Sequence, residues 1–105
     1  MAIIETHVFT RRLQKILSAE EYRLLQRELI IRPFDGKRIS GSGGLRKLRW
    51  SYGGKGKSGG VRVIYYWDQE KDVILLLLIY SKNEQDDLSG EQLRILRKIV
   101  EGEYK

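Results

Sequence analysis

The chain has 105 residues, with 20 Lys and Arg against 14 Asp and Glu, one His, one Pro and no Cys. That length suits a single domain, residues 1–105, with one hydrophobic core and no separate regulatory domain. The missing thiols exclude disulfide frameworks, thiolate zinc sites and Cys nucleophiles, and a lone His cannot build a His-rich metal centre.

The opening residues 2–9 are β-branched and apolar and predict a first strand, after which Thr10 offers an N-cap. Leu13, Ile16 and Leu17 then recur at helical spacing. Ser18-Ala-Glu-Glu21 has capping-box order, so a second helix is expected from about Ala19, with Tyr22, Leu25 and Leu29 on its apolar face. Pro33 stops it. Residues 35–44 are rich in Gly and Ser and read as a loop. Two strand-like runs, residues 45–51 and 61–67, flank the glycine-rich tip 52–60 as a long hairpin. A turn at 68–72 leads to residues 73–80, which are apolar on both faces, as in a central covered strand, and too few to span a bilayer. Ser89-Gly-Glu-Gln92 opens a last helix with Leu93, Leu96, Ile99 and Val100 on one face. The expected fold is α+β, in the order β-α-α-β-β-β-α, with an antiparallel sheet of about four strands packed by two N-terminal helices and a C-terminal helix. No early stretch has the order of a secretory signal, so a soluble cytoplasmic protein without membrane contact is expected.

The net charge of +6 is localised. Between Asp35 and Asp68 there is no acidic residue, while Lys37, Arg38, Arg46, Lys47, Arg49, Lys55, Lys57 and Arg62 all fall there, leaving the rest of the chain with 12 basic against 14 acidic residues. Nine of the 11 glycines share this segment, where their uncovered backbone N–H groups can approach phosphates. Strand alternation places Lys47 and Arg49 on one face, opposed by Leu48 and Trp50, and groups Arg62, Ile64 and Tyr66 against Val63, Tyr65 and Trp67. Lys82 and Asn83 follow the apolar strand and reach the same region if the strands run side by side. Converging cations repel one another unless an anion joins them. An RNA phosphodiester fits, since its 2′-OH is a built-in nucleophile. Cleavage needs a proton acceptor, a proton donor and cations for the developing phosphoryl charge, and clustered cations lower the pKa of a neighbouring Lys or Tyr.

Four segments in order, Gly43-Gly-Leu-Arg-Lys-Leu-Arg49, Gly54-Lys-Gly-Lys-Ser-Gly-Gly60, Arg62-Val-Ile-Tyr-Tyr66 and Ile79-Tyr-Ser-Lys-Asn-Glu84 followed by Asp87-Leu88, resemble the HigB type of the RelE/ParE toxin superfamily over residues 3–100. The resemblance implies a RelE-like microbial RNase fold and a toxin of a type II toxin–antitoxin pair. Such a toxin enters the ribosomal A site, binds rRNA and mRNA, and cleaves the mRNA without metal or other cofactor. It implies a cognate helix-turn-helix antitoxin of the HigA type, with operator DNA contacted only through the antitoxin complex. Carried over by position, the paired basic residues of the second strand match Lys47 and Arg49, the Arg of Arg-x-x-Tyr matches Arg62 with Tyr65 as its aromatic partner, and the basic residue after the last strand matches Lys82. RelE has an Arg where this chain has Asn83, and a catalytic Tyr shortly downstream that has no counterpart here. Tyr66 and Tyr80 are then the substitutes for the proton acceptor. Glu84 is either a base or an ion-pair partner or helix cap. Arg46, Lys55, Lys57 and Asn83 are expected to contact RNA, with Lys55 and Lys57 gripping phosphates rather than doing chemistry. His7 reads as an ordinary strand residue, and Trp50 and Trp67 read as core. Two other functions stay open on the sequence: a non-catalytic gyrase inhibitor, as in the ParE branch, and a plain RNA-binding module. The full strand cation set argues against the first, because that branch tends to lack it.

Overall fold

The computed structural model describes residues 1–51 and 60–104. Strand β1 (Ala2–Glu5) ends short of the β-branched run, and helix α1 (His7–Ile16) begins inside it. Thr6 rather than Thr10 is the N-cap: its Oγ1 accepts from the Phe9 N–H at 3.1 Å and donates to the Leu77 carbonyl at 2.9 Å. Capping and the complete burial of Phe9 outweigh strand propensity, so His7, Val8 and Phe9 are helical rather than extended. Helix α2 (Ala19–Ile31) has the expected Ser18/Glu21 capping box, and Arg32 ends it just before Pro33.

The Gly/Ser-rich loop hides a two-residue strand, β2 (Lys37–Arg38), beside β3 (Leu45–Trp50). Strands β4 (Val61–Asp68) and β5 (Val73–Ser81) continue the antiparallel pairing. Helix α3 (Gly90–Lys98) starts from the Ser89/Gln92 capping box and runs into a π-helical extension, Ile99–Tyr104. The Tyr104 hydroxyl donates to Asp68 Oδ2 at 3.0 Å, which holds this extension against the end of β4.

The sheet has five strands in the order β1-β5-β4-β3-β2, and β1 lies parallel to β5, so it is mixed rather than the four-stranded antiparallel sheet expected. Periodicity reveals that residues 2–5 are extended but not which strand they join; the two helices that follow β1 carry the chain across one face before the hairpins form. That face holds a core of Phe9, Leu13, Leu25, Leu29, Leu48, Val63, Tyr65, Ile74, Leu76 and Ile79, with Trp50 and Trp67 packed against it. The opposite face packs Leu45, Ile64, Leu75, Leu77, Leu78 and Tyr80 under Leu96 and Val100.

A bulge opposite Ile64 and Tyr65 separates these two sets on β5. Ile64 pairs with Leu78 but Tyr65 pairs with Leu76, so Leu77 is the extra residue. Leu77 and Leu78 both join the α3-side core, and the alternation of β5 is reversed beyond them. Without that step Tyr80 would share the α1 side with Ile74 and Leu76; with it, Tyr80 stands on the same face as Arg62. Among the described residues, no helix is long and apolar enough to cross a membrane.

Candidate active site

Cross-strand register assembles the site. Arg49 on β3 lies opposite Arg62 on β4, and Arg62 lies opposite Tyr80 on β5, forming one row across three strands. Lys47, two residues along β3 from Arg49, shares its face and lies opposite Ile64. Lys47, Arg49, Arg62 and Tyr80 are thus brought together on the α3-facing side of the sheet. Two arginines directly opposed repel one another. Arg62 is also only 9% exposed, and among the described residues it has no acidic partner. Its Nε–H is buried without a hydrogen-bond acceptor among those residues, while Nη1 reaches the Val61 carbonyl at a long 3.4 Å. Gly60 leaves room beside the guanidinium, because a Cβ there would sit 3.3 Å from Arg62 Nη1 and 3.1 Å from Ser51 Oγ.

Tyr80 is wholly buried, and its hydroxyl is also without a partner among the described residues. Burial, followed by the charge of Asp87, pushes its pKa up, against the weaker opposing pull of Arg62 and Arg49. The expectation that clustered cations lower a neighbouring Tyr pKa is therefore reversed at Tyr80: desolvation of the phenolate outweighs them.

The turn after β5 contributes Asp87, whose Oδ1 accepts from Lys47 Nζ at 3.0 Å. That hydrogen bond, the Leu88 N–H and the charges of Lys47 and Arg49 hold its carboxyl below the usual aspartate range. The sequence assigns Asp87 no role, because one carboxylate in a polar turn has no periodic signal and its partner is 40 positions away. Lys37, in the sequence, is likewise no more than one charge of the basic segment. Strand β2 sets it beside Lys47, and Asp35, Lys37, Lys47, Leu48 and Arg49 line a recess of about 500 Å³.

The remaining expected residues divide by position. Lys82 donates its backbone N–H to the Gly60 carbonyl at 3.1 Å, two residues past Tyr80, and its side chain and that of Asn83 are exposed. Glu84 is an ion-pair partner, although of Arg12 rather than Lys82: Arg12 Nη2 donates to both carboxylate oxygens at 2.7 and 2.6 Å, and the Ser81 N–H donates at 2.9 Å. The Ser81 N–H and then Arg12 hold its pKa below the usual glutamate range.

Tyr66 shares the face of Arg62 but lies four residues along β4, about 13 Å away at strand rise. It packs edge-on against Tyr104 at 6.2 Å between ring centres, under the π-helical extension. Tyr65 is on the α1 side and so is no partner of Arg62; its hydroxyl donates to the Pro33 carbonyl and accepts from the Gly36 N–H, both at 2.8 Å. Arg46 also leaves the face. Its Nη1 donates to the carbonyls of Phe34 at 3.1 Å and Gly36 at 2.8 Å, and its guanidinium lies 5.8 Å from the Trp67 ring centre. Lys55 and Lys57 lie outside the described residues. His7 is exposed at the start of α1.

No protein-family model matches the chain. Among solved structures, it is similar to the isolated E. coli RelE toxin, with 16% identity and a TM-score of 0.57 over 93% of this chain and 97% of that one. A mutant of E. coli RelE in the free state matches with 16% identity and a TM-score of 0.57, over 81% of this chain and 86% of that one. The intact E. coli RelBE toxin–antitoxin complex matches with 17% identity and a TM-score of 0.56, covering 74% of this chain and 92% of that one. At these TM-scores and coverages the chain has the fold of the RelE toxins.

Proposed function

We propose that the protein is the toxin of a type II toxin–antitoxin pair, of the HigB type, and acts as a ribosome-dependent endoribonuclease that cleaves mRNA in the A site. The observation that carries this reading is the row Arg49, Arg62 and Tyr80 with Lys47 beside it: cations converge on one strand face around a nearly buried arginine that has no acidic partner among the described residues. Such a row suits a phosphodiester better than a solvated surface, because the repulsion between Arg49 and Arg62 is relieved by an incoming anion.

In this reading the ribosome presents the message with its 2′-OH in line with the phosphorus. Arg62 and Arg49 stabilise the charge that builds on the non-bridging oxygens, and Lys47 approaches the same phosphoryl group. Attack by the 2′-oxygen forms its bond to phosphorus as the bond to the 5′-oxygen breaks. Asp87, ionised at neutral pH and released from Lys47 as the phosphoryl group binds, accepts the 2′-OH proton; Lys82, exposed two residues past Tyr80, donates a proton to the leaving 5′-oxygen. The chain's residues supply every role without a metal. The similar structures include a toxin alone and a toxin–antitoxin complex, which supports an antitoxin partner here, of HigA type, with operator DNA reached through it and the cytoplasm as the place of action.

The test is inducible expression followed by mapping of mRNA 5′ ends. Wild type should generate new ends in phase with codons, and Arg62→Ala should not. Intact messages with DNA-damage signalling would overturn the reading in favour of a gyrase inhibitor.

A further inference from the structure

Two buried polar groups on the candidate face lack hydrogen-bond partners among the described residues, the Arg62 Nε–H and the Tyr80 hydroxyl, and they belong to one directly opposed cross-strand pair. Buried donors are ordinarily satisfied, so two orphans side by side mark a place where a ligand supplies the missing acceptor. Both are donors, and their neighbours Arg49 and Lys47 are cations, so the missing acceptor is an anion. We infer that the Tyr80 hydroxyl and the Arg62 Nε–H together hold one non-bridging oxygen of the bound phosphoryl group, with Tyr80 acting as a hydrogen-bond donor and not as the proton acceptor.

The inference rests on the phosphodiester reading of the row. The β5 bulge supports it, because that irregularity alone turns Tyr80 onto the face of Arg62. Tyr80 also sits in the regular ladder between β4 and β5, directly opposite Arg62 and with its ring buried in the α3-side core, so its hydroxyl is held by rigid elements as a donor to developing charge requires. Its raised pKa keeps the phenol neutral at physiological pH, the form that donates.

Asp87 competes for the cations of the row. Its carboxylate occupies Lys47 Nζ at 3.0 Å and is close enough to Tyr80 to act on its ionisation. It is a resident anion beside the row. Asp87 is 69% exposed and lies on a turn, so a phosphoryl group can displace it from Lys47 at little cost. The Asp87 carboxylate released from Lys47 is then free to accept the 2′-OH proton.

Inorganic phosphate tests the cradle without the ribosome. The full chain is labelled with ¹⁵N-arginine and ¹³Cζ-tyrosine and titrated with phosphate. In the wild type the Arg62 Nε–H and the Tyr80 Cζ resonances should shift together and saturate. Tyr80→Phe should weaken phosphate about tenfold, as expected for loss of a hydrogen bond to a charged group, while Asp87→Asn should tighten it by removing the competing carboxylate. Tyr66→Phe, about 13 Å along the same strand face, should leave phosphate affinity unchanged. A saturating Arg62 shift with no movement of Tyr80 Cζ overturns the inference even if Tyr80→Phe fails to fold, as does equal phosphate affinity in wild type and a folded Tyr80→Phe. Codon-phased cleavage without a Tyr80 response removes the inference alone, whereas a Tyr80-dependent phosphate site with no mRNA cleavage leaves the cradle and removes the proposed function.

Discussion

Tyr65 and Tyr80 stand on neighbouring strands, are equally inaccessible to solvent and differ in what their hydroxyls do. Tyr65, on the α1 side, binds the Pro33 carbonyl and the Gly36 N–H, fastening the exit of α2 to the sheet. Gly36 has no space for a side chain there, since a Cβ would lie 2.7 Å from the Tyr65 ring. Tyr80, on the other face, meets no partner among the described residues and lies beside a nearly buried arginine in the same condition. Equal burial with unequal satisfaction separates a tyrosine that stabilises the fold from one held ready for a ligand. On the α1 side only the Trp67 indole N–H is buried without a partner among the described residues, and it stands alone; at the end of the α3 side two such donors lie side by side, at a cost in stability, in the manner of binding sites.

The sharpest way to break this contrast is at Arg62. Arg62→Met should reduce single-turnover cleavage on ribosomes by about 10²-fold or more, the scale for removing a preorganised charge donor. It should also raise folding stability by about 1 kcal/mol in urea denaturation, since an unpaired buried cation opposite Arg49 becomes an apolar side chain of similar volume. A loss of stability would mean that Arg62 holds the fold.

Next in size is the pair of tyrosine substitutions. Tyr65→Phe leaves the Gly36 N–H and the Pro33 carbonyl unsatisfied in a buried place and should destabilise by about 2 kcal/mol, lowering Tm by roughly 8–16 °C for a domain of this length. Tyr80→Phe removes a hydroxyl that has no such partner and should leave Tm within about 2 °C or raise it. Equal losses from the two would erase the distinction. In cleavage the order reverses: Tyr80→Phe should slow the reaction at every pH without removing a limb of the pH–rate profile, because a donor that stays neutral does not titrate in that range.

The smallest effect is at the rim. The Lys47–Asp87 pair has an exposed carboxylate and should contribute no more than about 0.5 kcal/mol. Because the folded pKa of Asp87 is depressed, that contribution is present above its unfolded value and disappears as pH falls through the folded one. The stability difference between wild type and Asp87→Asn should therefore begin to shrink below about pH 4 and vanish only in stronger acid, below the folded value, measured as urea midpoints across pH. Lys47→Ala should weaken RNA binding and reduce its salt dependence by about one unit of slope.

What could be read from the sequence was local. Two capping boxes, at Ser18 and Ser89, place α2 and α3 correctly because a cap satisfies backbone donors within one turn of itself. Pro33 ends α2 where its missing N–H requires, and alternation along β3 puts Lys47 and Arg49 on one face. The same reasoning missed when two local signals competed, as at Thr6 and Thr10, where burial of Phe9 and the bond from Thr6 to Leu77 select the earlier cap. The pairing of Tyr65 with Arg62 comes from the resemblance and not from alternation, which sets the two on opposite faces, and the structure keeps them there.

The tertiary structure alone decided the parallel seat of β1 on β5, the pairing of Lys47 with Asp87 and the face on which Tyr80 stands. Each depends on contacts between residues far apart in the chain, whose spacing carries no pattern. Residues 73–80 are apolar on both faces, so nothing in their order shows where alternation slips; the extra residue at Leu77 appears only when β4 is laid against β5. The sequence by itself therefore determined that a cationic face exists, because charge and period are local properties. Packing between strands decided that a buried tyrosine completes it.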